Sequence, residues 1–208
     1  MNTKALIIVD VQNDFCKGGH LEVPNGDRVV DVINGIIQKF DVVVATQDWH
    51  PKNHKSFASN HQGKKVFDMI DLNGTQQVLW PDHCIQNTKG SDLHEMLITD
   101  KVNMIIHKGM NPEIDSYSAF ADNGKGSLTG LMGYLTEHNV DQIYICGLAT
   151  DYCVEATAMD AIEYGENFGI EEIFVIEDAC RGVDPVSSAK AIEEMKKNGI
   201  EIIKSEEI

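Results

Sequence analysis

The sequence predicts an α/β protein built on a parallel sheet with helices on both faces, a three-layer α/β/α arrangement. Two observations predict it. Short apolar runs rich in Val and Ile alternate with amphipathic stretches of helical period, the order that crossover-connected parallel strands require. The runs are almost continuously apolar, as expected of strands buried on both faces. A third observation bears on function: Asp10 and Lys108 each close such a run, and Cys153 follows one closely.

The elements follow in chain order. Residues 4–10 form the first strand, Ala5-Leu6-Ile7-Ile8-Val9 ended by Asp10. In 27–39, Val29, Val32, Ile33, Ile36 and Ile37 fall on one helical face. Residues 41–47 are the second strand. Residues 49–90 are polar and without period, and they hold His50, His54, His61 and His83. Long excursions in compact domains are usually functional or mobile, so this one reads as an insertion over the active-site edge. Residues 101–107 are the third strand. Leu128, Leu131, Met132 and Leu135 mark a helix over 127–138, and 141–147 is the fourth strand. A helix over 151–164 opens behind Thr150 or Asp151, both good N-caps, and carries the helix formers Glu155, Ala156, Ala158, Met159 and Ala161. Residues 171–177 are the fifth strand. A last helix, about 185–198, starts at Pro185, has Lys196 and Lys197 in its final turn and Gly199 just beyond. A short strand near 200–203 completes the series. No repeat, low-complexity tract or linker divides the chain, so 1–208 reads as one domain with an insertion at about 49–90.

Composition narrows the function. The 208 residues are 42% hydrophobic with a formal net charge of −16. Such a surface repels nucleic acid and anionic membranes, and it favours solubility. No apolar run approaches a membrane span, and the N-terminal apolar stretch, cut by Asp10, is too short for a signal-peptide core. The cysteines Cys16, Cys84, Cys146, Cys153 and Cys180 are odd in number and irregular in spacing. They indicate neither a disulfide framework nor a Cys-rich zinc site, and a reducing cytoplasm is the simplest compartment.

In an open α/β sheet the ligand crevice lies beyond the carboxyl ends of the strands. Asp10, Lys108 and Cys153 all belong at that edge. Cys153 falls in the first turn of the helix opening near Thr150, where free N–H groups and the dipole favour an anion. There a thiol pKa of about 8.5 can drop to roughly 3.5–7.5. Asp10 can take the thiol proton and later pass it to a leaving amine. Lys108 can hold both in their charged forms. Singly, each has a plain structural explanation: a buried cysteine, a turn-bonding Asp, a solvated lysine. Together they point to cysteine-based acyl transfer. Asp14 lies further into the turn and ranks lower.

Asp48 and His50 flank Trp49, and in extended backbone residues i and i+2 face the same side. His83 returns from the insertion as a third ligand. An Asp with two His suits zinc first, with iron or manganese as alternatives. His54, four residues after His50, either approaches the ion or sits on the loop.

These segments, in this order, resemble the nicotinamidases of the isochorismatase-like cysteine hydrolases. They are Val9-Asp10-Val11-Gln12-Asn13-Asp14-Phe15, Thr46-Gln47-Asp48-Trp49-His50-Pro51, Trp80-Pro81-Asp82-His83-Cys84, His107-Lys108-Gly109, Asp115-Ser116-Tyr117-Ser118-Ala119-Phe120, Gly147-Leu148-Ala149-Thr150-Asp151-Tyr152-Cys153-Val154 and Asp178-Ala179-Cys180-Arg181-Gly182. The resemblance implies a six-stranded, mainly parallel sheet and a catalytic triad of Asp10, Lys108 and Cys153. It implies a metal on Asp48, His50 and His83. It implies a cis peptide between Leu148 and Ala149, with the N–H groups of Ala149 and Cys153 as the oxyanion hole. The aromatic pocket it implies maps onto Phe15, Trp80 and Tyr117, with Tyr152 beside the nucleophile. Phe120 goes to the core. The stretch from Gly165 to Glu172 is longer and more acidic than the resemblance implies, which leaves the helix boundary there open.

The expected activity is hydrolysis of nicotinamide to nicotinate and ammonia through a Cys153 thioester, in NAD salvage, by a monomer or homo-oligomer. Two alternatives stay open: a cysteine amidase of the same superfamily acting on another small amide, and a non-catalytic metal- or ligand-binding protein.

Overall fold

The computed structural model describes residues 2–166 and 168–208. The strands are β1 (Lys4–Val9), β2 (Val42–Asp48), β3 (Met69–Leu72), β4 (Thr75–Val78), β5 (Met104–Lys108), β6 (Gln142–Leu148), β7 (Glu172–Arg181) and β8 (Glu201–Ile203). The helices are α1 (Val29–Ile36), α2 (Leu131–Glu137), α3 (Glu155–Gly165) and α4 (Pro185–Lys197). Six strands form one sheet in the order β5-β2-β1-β6-β7-β8, and every neighbouring pair in it is parallel. Each strand expected from the apolar runs is there. Ala5 to Val9 are fully buried, which explains why that run shows no polar alternation. Among the described residues no helix is long and apolar enough to cross a membrane.

The topology places the site. From β1 the chain moves outward through β2 to β5, then returns to the other side of β1 and moves outward through β6, β7 and β8. The strand order therefore reverses between β1 and β6, and the crevice at such a switch point is where open α/β sheets bind ligands. Gly147 lets the two central strands meet there. Its φ is +115°, and a Cβ on it would sit 2.1 Å from the Val9 carbonyl oxygen.

Helix boundaries differ from expectation at three places. The regular part of the 27–39 helix is only α1, with 3₁₀ turns on either side (Gly26–Arg28 and Ile37–Lys39). The 127–138 helix begins at Leu131, because Gly130 stands at φ +89°. Leu128 therefore lies outside it, exposed. The 151–164 helix opens with a π turn, Thr150–Val154, and neither Thr150 nor Asp151 caps it. The last helix matches closely: Asp184 accepts from the N–H groups of Val186 and Ser187, and Pro185 takes the first position. In the acidic stretch after α3, Asn167 lies outside the described residues. Ile170 donates back to the Gly165 carbonyl, and Glu171 donates to Asp141.

The insertion is more ordered than its composition indicated. It contains the antiparallel hairpin β3–β4, turned by Asn73 at φ +55° and Gly74 at φ +86°. Asn-Gly with both residues at positive φ is the favoured two-residue hairpin turn, so this pair in the sequence was the missed signal.

Candidate active site

Asp10 follows β1 at φ +48°, a region non-glycine residues seldom occupy. Thr46 on β2 holds it there: its Oγ1 accepts from the Asp10 N–H at 3.1 Å and donates to Asp10 Oδ1 at 2.6 Å. Lys108 ends β5, is 2% exposed, and sends its ammonium to the same point. Nζ donates to Asp48 Oδ1, to the Ser116 carbonyl at 3.0 Å and toward Cys153 Sγ at 3.4 Å. Asp10 Oδ2 lies 2.8 Å from Nζ, forming a buried ion pair. An Asp10 oxygen, an Asp48 oxygen and Cys153 Sγ all lie within 4.8 Å of one another. The structure thus brings Asp10, Lys108 and Cys153 together at the switch point.

The electrostatics correct one expectation. Burial pushes the Cys153 thiol well above its usual range; Lys108 opposes this, while Asp10 and Asp48 add to it. Burial is the largest influence on this thiol and outweighs the pull of Lys108. Burial also raises Asp10, to about 6, against the pull of Lys108. Burial would raise Asp48 too, but Lys108 holds it well below the ordinary carboxylate range. Burial alone would lower Lys108, yet Asp10 and Asp48 keep it protonated. Burial thus favours the thiol over the thiolate, with the Asp10 carboxylate beside it.

The expected metal ligands converge beside this cluster. His50 Nε2 and His83 Nε2 lie 3.5 and 3.7 Å from Asp48 Oδ2. Each ring is fixed by its other nitrogen: His50 Nδ1 donates to Gly109 O at 2.9 Å, and His83 Nδ1 to Pro81 O at 2.8 Å. That leaves both Nε2 lone pairs turned toward one carboxylate oxygen, the second-sphere pattern of ligating histidines. The donor set, two imidazoles and one carboxylate, fits a divalent transition metal. His54 is not in this trio. It is fully buried with Nδ1 on Ser56 Oγ at 2.7 Å, its Nε2 has no hydrogen-bond partner, and it groups with His50 and Asp115 instead. His61 turns away, with Nε2 on the Lys55 carbonyl.

A cavity opens above Cys153. Phe15, Trp80, Tyr117 and Tyr152 all line it, as does Ala149. The Trp80 and Tyr152 rings meet edge-on at 4.9 Å, and Trp80 Nε1 donates to Tyr117 Oη at 3.1 Å. The Leu148–Ala149 peptide is cis. Phe120 is buried away from the cavity, against Tyr164. Asp14 serves the scaffold: Oδ2 accepts from the Cys84 N–H at 2.7 Å, and Oδ1 meets His20 Nδ1 at 2.6 Å.

Several functional residues escaped sequence reasoning. Gln12 grips the Asp48 backbone from both ends, accepting from its N–H and donating to its C=O, each at 2.8 Å. Gln77 on β4 donates to Asp115 Oδ2 and Tyr117 Oη. Leu21, Val23, Asp115 and Val183 line the cavity. Gln12 and Asp115 lie inside segments already singled out. Gln77 and Val183 carry no local signal, since only the fold brings them to the site.

The isochorismatase family model, described as an isochorismatase domain, matches residues 4–207. A nicotinamidase of Acinetobacter baylyi is 48% identical over 208 residues, covering 100% of this chain and 95% of that protein. A nicotinamidase/pyrazinamidase structure from Acinetobacter baumanii superposes with a TM-score of 0.94 at 45% identity, covering 100% and 98% of the two chains. A pyrazinamidase structure of Pyrococcus horikoshii in complex with zinc superposes with a TM-score of 0.76 at 39% identity, covering 97% and 98%.

Proposed function

We propose that this chain, which belongs to the isochorismatase-domain family, hydrolyses nicotinamide to nicotinate and ammonia. One observation carries the reading: Lys108 Nζ joins the Asp10 carboxylate and the Cys153 thiol at the wall of a cavity lined by aromatic rings. The relatives named above as nicotinamidases support the choice of amide.

A flat pyridine ring enters between Phe15, Trp80 and Tyr117. Asp10 removes the thiol proton through its carboxylate. The thiolate attacks the carboxamide carbon, and the N–H groups of Ala149 and Cys153 hold the oxyanion. Loss of one such donor typically costs about 10²–10³ in rate. Asp10 returns the proton to nitrogen as the C–N bond breaks and ammonia leaves. Asp10 then takes a proton from water, which attacks the thioester carbon. The C–S bond breaks, and the proton goes back to sulfur. Lys108 keeps its charge throughout and pins both carboxylates.

Asp48, His50 and His83 would hold a divalent metal: zinc first, by analogy with the Pyrococcus protein, or iron or manganese. Bound there, it supplies positive charge that orients a ring nitrogen and eases thiol ionisation. The reading includes a single hydrolase domain, a place in NAD salvage and a cytoplasmic setting.

The test is ammonia release from nicotinamide by protein of known metal content. Wild type should release ammonia, and Cys153→Ala should release none while keeping its metal. An active Cys153→Ala enzyme would remove covalent catalysis. A wild type that prefers a non-aromatic amide would favour the alternative of another cysteine amidase.

A further inference from the structure

Asp151 lies two residues before the nucleophile and is 8% exposed. Its carboxylate turns away from its own helix and toward the loop between β7 and α4. Oδ1 accepts from the Val183 N–H at 2.9 Å. Oδ2 accepts from the Asp184 N–H at 3.1 Å and from Ser187 Oγ at 2.5 Å. The loop is shaped to this anchor: a Cβ on Gly182 would sit 3.0 Å from Asp151 Oδ1 and 1.8 Å from Ser188 Oγ. Val183, hung directly on the carboxylate, is part of the cavity wall. The Asp151 side chain therefore bonds the segment that carries Cys153 to the one that carries Val183. Three hydrogen bonds from this one stretch of chain converge on the carboxylate.

We propose that Asp151 is a positioning residue that sets the width of the ring slot by tying Val183 to the nucleophile turn, and so selects flat single-ring amides over wider ones. The inference rests on the reading of the cavity as a nicotinamide site.

The experiment compares kcat/KM for nicotinamide with that for quinoline-3-carboxamide. The latter keeps the ring nitrogen and carboxamide and adds a fused ring. Wild type should favour nicotinamide, and Asp151→Ala should relax the ratio by about tenfold, the scale on which a pocket discriminates small apolar groups. Val183→Ala should relax it similarly, and the double variant should add nothing further, as coupled residues do. Should Asp151→Ala fail to fold, Asp151→Asn and Ser187→Ala carry the same test, with a smaller relaxation expected. A wild type that takes both amides equally overturns the proposal. So does a variant that slows both by one factor, or effects that multiply in the double variant. If wild type does not hydrolyse nicotinamide, the proposed activity fails, and the tether is then read by hydrogen exchange. The Val183 and Asp184 amides should lose protection in the variant; unchanged protection overturns the tether as well.

Discussion

Lys108 is an ammonium with no exposed side-chain surface, set between two carboxylates. Breaking such a buried pair usually costs about 3–5 kcal/mol, because a charge is left unmatched. Burial raises the Asp10 carboxyl to about 6 against the pull of this ammonium, near neutrality, where the general base proposed here would work best. The base must be ionised to accept the thiol proton. kcat/KM for nicotinamide should therefore fall as pH drops through about 6, roughly tenfold per pH unit below it. A pH–rate profile flat down to pH 4 would exclude Asp10 as the base. Gly109 acts on the proposed metal ligand His50 in the same local way. A Cβ there would lie 2.3 Å from His50 Cε1, and its φ is +65°. Gly109→Ala should displace the His50 ring and lower metal content on purification, by about 10–100-fold in affinity if it acts as other outer-sphere partners do. Titration with zinc, read by metal analysis, checks this.

At the scale of elements, the insertion matters because it brings His83 and Trp80 over the strand ends. Asp14 is one of its fasteners. Burial would raise this carboxyl, but the hydrogen bonds from His20 and from the Cys84 N–H outweigh it and hold it below its usual value. A depressed carboxyl gives stability that is present above the unfolded value and is lost as pH falls through the folded one. His20 moves the other way: its bond to Asp14 raises it. Its part is full below about 6.5, the ordinary histidine value, and is lost as pH rises through the folded value. The pair should thus contribute most between those limits. Asp14→Asn should lower Tm most near pH 5, with the difference shrinking at strongly acid pH; melting curves across pH test it. A constant difference would mean that Asp14 acts only as a neutral hydrogen-bond acceptor. The hairpin β3–β4 matters too, since Gln77 on it reaches Tyr117 and Asp115.

For the whole molecule, the decisive contact is that between β1 and β6, where the two halves of the sheet join and the strand order reverses. Gly147 is the residue without which they cannot meet. Gly147→Ala adds a methyl group 2.1 Å from the Val9 carbonyl at a φ of +115°, so backbone must move in the centre of the sheet. Denaturant unfolding should show a loss of about 4 kcal/mol or more, at the extreme of single substitutions. A loss under about 1 kcal/mol would show that the strands part there easily.

The sequence by itself determined the six strands of the main sheet, their parallel arrangement and the side chains at their ends. Apolar period and short-range geometry are properties of neighbours in the chain. Asp10 at the end of the first run, Lys108 at the end of the third and the Asp48-Trp49-His50 pair were legible for that reason. Tertiary structure alone decided the protonation of Cys153, because that depends on burial and on Lys108 and Asp10, 45 and 143 residues away in sequence. It also decided that Asp151 serves a distant loop and not its own helix, and that Asp48 faces Lys108 as well as the two histidines. Charges and hydrogen bonds act through space, so partners that meet only after the chain has crossed the sheet leave no mark on local pattern.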